Sequence, residues 1–184
     1  QKKSIIQQLL RRLIQLRQCT TEKKQRQAAI YQELFAHPKW QAATCIGMIR
    51  STDLELDTKP VMQQALLEGK KVVVPKSLAN HQMIFYQVTE KTDYYVTKFG
   101  VEEPHSSHEV TAEQIDLLIV PGVVFRKDGY RIGYGGGYFD CYLANYPHDT
   151  LSLVFKEQLN ENWQADDYDV PVSELIIGCE VEKC

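Results

Sequence analysis

The densest chemistry in the sequence is the run Arg131-Ile132-Gly133-Tyr134-Gly135-Gly136-Gly137-Tyr138-Phe139-Asp140, which places four glycines within five positions. Glycine lets the backbone reach positive φ and lets successive N–H groups close on an anion. The run follows an apolar segment at 116–121 and leads into a helical pattern at 137–146, so a helix N-terminus would add a favourable dipole. Such a loop suits a phosphate. Arg131 can supply a bidentate guanidinium, and Asp140 a hard oxygen ligand for Mg²⁺. Two nucleotide motifs are excluded. No Gly-Lys-Ser/Thr closes the loop as a P-loop requires, and Tyr138 stands where a dinucleotide fingerprint needs its last glycine. The competing reading is a tight turn with glycines for packing alone; the flanking Arg131 and Asp140 favour a ligand.

Other candidates read more plainly. His105, His108 and Glu109 have a metal-like spacing but lie in a Ser-rich polar stretch, where a solvated loop is the expectation. Cys141 lacks an obvious activating base, and Trp40 after Pro38 reads as an anchor for a helix end. Asp166 and Asp167 remain alternative metal ligands near Asp169. The five cysteines, at 19, 45, 141, 179 and 184, are odd in number and scattered, against a disulfide framework or a structural zinc site. Reduced cytoplasm is therefore the expected compartment.

The elements that must position these groups alternate between helix and strand. Ile5, Ile6, Leu9, Leu10, Leu13 and Leu16 recur at helical spacing and predict an amphipathic helix over 3–18. A second helix is expected from Thr20, as N-cap, to just before Pro38, and a third from Thr58 and Pro60 to about Gly69. Apolar runs at 44–50, 72–75, 116–121, 151–155 and 175–177 read as buried strands, and 83–88 and 94–99 as β-branched or aromatic ones, with a polar loop at 102–110. Short apolar strands alternating with helices imply a parallel α/β sheet covered on both faces, in one domain over 1–184. The net charge of −3 hides a basic N-terminal arm opposed by an acidic C-terminal stretch. A solvated face is the expectation for that arm rather than a nucleic-acid or membrane surface. No apolar run is long enough for a membrane helix.

The run from Pro121 and Gly122 through Phe125, Asp128, Gly129 and Arg131 to Asp140 closely resembles the signature of 5-formyltetrahydrofolate cyclo-ligases. Weaker blocks agree in order: Lys3 opening a Lys-x-x-Leu-Arg element, Glu55 in the loop 51–58, Val73-Val74-Pro75-Lys76, Phe99-Gly100-Val101-Glu102-Glu103-Pro104, Phe155 with Glu157 and Gln158, and Asp169-Val170-Pro171. The resemblance implies a three-layer α/β/α sandwich around a mostly parallel sheet. It implies ATP held by Lys3, Gln7 and Arg131 to Phe139, and Mg²⁺ held by Asp140 and Asp169. It puts the folate against Arg50, Glu55, Tyr134, Gly135, Gly136, Gly137 and Tyr138. The family reaction uses ATP to close 5-formyltetrahydrofolate, with or without a polyglutamate tail, to 5,10-methenyltetrahydrofolate. Two departures stand out: Gln7 occupies the family's Arg position, leaving Arg11 as a substitute, and Tyr168-Asp169 replaces His-Asp. The runner-up is a non-catalytic nucleotide- or sugar-phosphate-binding protein on a similar scaffold. Oligomeric state is not fixed by the sequence; a monomer is the expectation.

Overall fold

In a computed structural model, residues 2–18, 20–52 and 55–178 are described. Helices α1 (Lys2–Gln18) and α2 (Thr20–Ala36) lead into the short α3 (Pro38–Ala42) and then the central strand β1 (Cys45–Gly47). Helix α4 (Lys59–Leu67) crosses to β2 (Lys71–Ser77), which turns back into β3 (Met83–Val88). After β4 (Tyr94–Val96) and β5 (Glu102–Pro104) come β6 (Glu109–Val110) and β7 (Leu117–Ile119). The hairpin β8 (Val124–Phe125) and β9 (Arg131–Ile132) precedes α5 (Tyr138–Leu143), β10 (Asp149–Val154) and β11 (Glu174–Ile177).

Among the described residues, seven strands form the main sheet in the order β11-β10-β7-β1-β2-β3-β6. The five from β11 to β2 are parallel, while β3 and β6 add an antiparallel edge. Ile46 registers with Val72 on one side and Leu117 on the other. Alternation along the strands splits the core. Ile46, Val72, Val74, Leu117 and Ile119 join Leu9, Leu13, Ile30, Leu34, Trp40 and Met62 from the helices on one face. Val73, Phe85, Leu118 and Val120 face the other way, toward Leu143 and the rings of Tyr138, Phe139 and Tyr142 on α5. The α/β/α sandwich is thus unequal, with α1–α4 on one face and the six-residue α5 on the other. Burying each core leucine contributes about 1.5–3 kcal/mol, so the α1 seam of Leu9, Leu13 and Leu16 is a substantial anchor.

Several sequence expectations change. The polar stretch 102–110 contains two strands: β5 pairs with β4, and β6 caps the sheet edge. Edge pairs tolerate Pro104 and the surrounding acids because part of their backbone need not pair. The helix predicted over 137–146 is only Tyr138–Leu143, and the strand predicted over 94–99 ends at Val96. Thr58 does not cap α4 with its side chain; Asp57 Oδ1 accepts the Lys59 N–H instead, at 3.0 Å. The side chain of Thr20, and Cys19, Cys179 and Cys184, lie outside the described residues, whereas Cys45 is a buried and Cys141 an exposed free thiol. Trp40 is fully buried on α3, in keeping with an anchor at a helix end.

Candidate active site

Strands β1, β7 and β10 are adjacent and parallel, so the segments leaving their carboxyl ends emerge along one edge. Those segments carry Arg50 and Glu55, the glycine loop, and Asp169 respectively. From β1 the chain proceeds to β2 on one side and later to β7 on the other, and crevices at such reversals are where open α/β sheets hold ligands.

Arg131 is set by the β8–β9 hairpin. Its turn places Gly129 at φ +97, where a Cβ would lie 2.3 Å from the Val172 carbonyl oxygen. Only glycine allows this approach. Gly129 O accepts from Val172 N at 3.0 Å, which stitches the hairpin to the segment containing Asp169. The Arg131 side chain is only 4% exposed, with Nη2 3.5 Å from Asp140 Oδ1 and its guanidinium carbon 5.7 Å from the centre of the Phe139 ring. Burial draws its pKa below the usual range, and the charges of Asp140 and Asp169 act against that shift. Arg131 Nε is buried and lacks a hydrogen-bond partner among the described residues. An arginine stays charged even so; the cluster is therefore a buried cation with unused donor capacity.

Both carboxylates act electrostatically on that cation, Asp140 from 3.5 Å. Asp140 Oδ1 also accepts from Val170 N at 3.2 Å, the residue after Asp169. Asp169 Oδ2 accepts from Asp166 N at 2.8 Å, and Lys2 Nζ lies 3.2 Å from Asp166 Oδ2, tying the start of α1 to this segment. Asp140 Oδ2 and Asp169 Oδ1 keep no hydrogen-bond partner among the described residues. Two carboxylates with spare oxygens fit Mg²⁺, which binds one or two carboxylates plus substrate phosphates and waters. No group of three or more His, Cys, Asp or Glu side chains suited to a metal occurs among the described residues, including at His105 and His108. His105 instead packs its ring 4.8 Å from that of Tyr95.

The loop bearing Glu55 is clasped at its base: Ser51 N donates to Thr58 Oγ1 at 3.2 Å and Thr58 N to Ser51 Oγ at 3.0 Å. Within it Thr52 Oγ1 donates to Glu55 Oε1 at 2.9 Å. Burial raises the Glu55 pKa, while hydrogen bonds from Tyr134 and Thr52 pull it back. Tyr134 is 65% exposed overall; desolvation and the nearby Glu55 charge push its pKa above the phenol range. This electrostatic coupling relates the Glu55 loop to the glycine loop.

Other expected residues are placed differently. Arg50 pairs with Glu102 Oε2 at 3.1 Å and stacks 4.1 Å from the Tyr94 ring centre, so it is engaged by the β4–β5 hairpin. Its Nε is also buried without a partner among the described residues. Ile132 belongs to the hairpin and the core, and Phe139 packs on the second core. Gly135 and Gly137 have φ of +94 and +69. The dipole expected at the following helix is small, because α5 has six residues, so an anion at this loop would depend on Arg131 and the loop amides. Lys3 and Gln7 are exposed one turn apart on α1, and neither makes a hydrogen bond or ion pair among the described residues. Two residues escaped sequence reasoning. Trp163 is buried with Lys2 and Arg126 near its ring, and His81 touches the glycine loop from the β2–β3 turn. Asn80 between two strand patterns was the available signal for that turn.

The sequence profile of the 5-formyltetrahydrofolate cyclo-ligase family matches residues 1–178. A probable 5-formyltetrahydrofolate cyclo-ligase of Schizosaccharomyces pombe is 35% identical over 124 residues, covering 64% of this chain and 60% of that protein. The 5-formyltetrahydrofolate cyclo-ligase of Haemophilus influenzae is 27% identical over 181 residues, covering 94% of this chain and 97% of that protein. The solved structure of Aquifex aeolicus 5,10-methenyltetrahydrofolate synthetase is similar at a TM-score of 0.82 and 26% identity, over 96% of this chain and 89% of that one.

Proposed function

The chain belongs to the 5-formyltetrahydrofolate cyclo-ligase family, and on that premise we propose that it couples ATP to the ring closure of 5-formyltetrahydrofolate at the carboxyl edge of β1, β7 and β10. The γ-phosphoryl passes to the formyl oxygen, N10 attacks the activated carbon, and phosphate leaves. The products are 5,10-methenyltetrahydrofolate, ADP and phosphate. Phosphoryl transfer asks a protein for positioning and charge neutralisation rather than a nucleophile.

The observation that carries this reading is the Arg131 cluster: a buried guanidinium with an unused donor, flanked by Asp140 and Asp169 at the root of a glycine loop. Arg131 and the loop amides hold the phosphates. Asp140 and Asp169 would hold Mg²⁺, which when bound neutralises phosphate charge. Glu55 and Tyr134 line the folate side, where a carboxylate can accept from the N–H groups of a pterin. Tyr138 offers an aromatic face. Lys3 and, one turn on, Gln7 approach ATP from α1. The exposed cations Arg11 and Arg12 suit an anionic polyglutamate tail. The proposal extends to a cytoplasmic monomer; no helix among the described residues is long and apolar enough to cross a membrane.

The test is spectrophotometric: 5-formyltetrahydrofolate, ATP and Mg²⁺ with the full chain, following the methenyl product's absorbance. Product formation that requires ATP and stops on chelation of the metal is the expected result. ATP binding without product would leave a non-catalytic nucleotide-binding protein.

A further inference from the structure

His81 lies at the tip of the β2–β3 hairpin, 55 positions before the glycine it touches. It and Asn80 hold left-handed backbone conformations, with φ of +59 and +60. This is uncommon for residues with side chains, and more so for two in succession. The turn places His81 Nδ1 in a hydrogen bond with the carbonyl oxygen of Gly136 and sets the imidazole edge-on to Tyr138, ring centres 5.9 Å apart. A carbonyl only accepts, so Nδ1 carries the proton.

A trans peptide is planar, and its C=O and N–H point in opposite directions. Fixing the Gly136 oxygen therefore fixes the aim of the Gly137 N–H. Glycine-rich backbone on both sides of this peptide would otherwise let it rotate. The same loop has at its root the 4%-exposed Arg131 side chain with an unpartnered Nε, an independent sign that an anion completes this region.

We propose that His81 is a positioning residue: it latches the 136–137 peptide so that the glycine loop presents its amide to a nucleotide phosphate. The inference rests on the phosphate-binding reading of the loop. The latch reaches over from the carboxyl end of β2, beside the strands that carry the rest of the site.

The test uses His81→Gly, His81→Ala and His81→Asn in the full chain, with ATP titrated calorimetrically, KM for each substrate, and thermal melts. Glycine relieves the left-handed strain but removes the donor, whereas asparagine tolerates the conformation and restores an N–H. His81→Gly should raise the Kd and KM for ATP about tenfold with an unchanged melting temperature, as for loss of one hydrogen bond that orders a binding loop. His81→Asn should recover most of that affinity. ATP affinity unchanged in His81→Gly, or an Asn variant no better than His81→Ala, overturns the latch. A parent chain that binds no ATP overturns the phosphate-binding reading and the latch with it, whereas a parent that binds normally beside indifferent variants overturns the latch alone.

Discussion

Arg131 and Lys3 are two cations proposed for the same phosphates, held in opposite environments. Arg131 is buried at the root of a hairpin, braced by Asp140 and Phe139, with donor capacity to spare. Lys3 is exposed on the first turn of a helix whose anchor is the apolar seam of Leu9, Leu13 and Leu16. A charge already desolvated and oriented interacts strongly with an incoming phosphate. A solvated lysine must first be ordered and is screened by salt. The glycine-loop wall is thus preorganised, and the α1 wall is adjustable.

The largest expected effect breaks the preorganised wall. Arg131→Ala should lower kcat/KM for ATP at least about a hundredfold, whereas Lys3→Ala should lower it less than about tenfold. Arg131→Lys should recover little, because an ammonium does not reproduce the guanidinium fork. Steady-state kinetics at two salt concentrations provide the check. Comparable losses for Arg131→Ala and Lys3→Ala would erase the distinction.

Next come the carboxylates. Asp140→Asn and Asp169→Asn should each reduce turnover by roughly tenfold or more, and the double variant by less than the product, as for groups serving one ion. A Mg²⁺ titration of all three variants tests this. Near-normal turnover of either single variant at limiting Mg²⁺ would move the role to Asp167, since Asp166 already pairs with Lys2.

Glu55 sharpens the contrast on the folate side. Its folded pKa is raised, chiefly by burial, so its protonated form favours the fold. That contribution is complete below the unfolded carboxylate pKa and is lost as pH rises through the raised folded value. Glu55→Gln should therefore flatten the stability profile in that window and be at least as stable as the parent at neutral pH. Folate affinity should meanwhile fall several-fold more than ATP affinity, a loss set by one charge-assisted hydrogen bond. Melts across pH and separate ligand titrations measure both. Equal losses of the two ligands would remove Glu55 from the folate wall.

The smallest effect belongs to the adjustable wall. Gln7→Arg should improve ATP half-saturation by about fivefold at most, near 1 kcal/mol for a partly solvated contact. Folate half-saturation should not move. An unaltered ATP requirement would mean that Arg11, one turn further along the helix, already serves.

Legibility in the sequence followed the length of the pattern. Helix α1 was readable because six apolar residues repeat over more than three turns, and β1, β2, β7 and β10 because buried parallel strands are continuous apolar runs. The β8–β9 hairpin was not, since two residues per strand carry no period. Arg131 and Asp140 were legible as neighbours of glycines. That Arg131 would be buried was not, because the enclosure depends on Gly129 meeting Val172, 43 positions away. The electrostatic coupling of Glu55 to Tyr134 and the His81 contact are equally products of strand order. Gln7 and Lys3 came from resemblance alone, and their exposure leaves them as proposals.

The stitch between Gly129 and Val172 also governs when during synthesis the site can exist. Asp169 and the Val170 amide that holds Asp140 lie immediately before the last strand of the sheet, β11. A ribosome delivers the helices and six of the seven main-sheet strands before this segment emerges. A ligand stabilises only the state that binds it. Nucleotide therefore cannot assist the nascent sheet through Asp169, and early collapse must rely on the apolar seam of α1–α4.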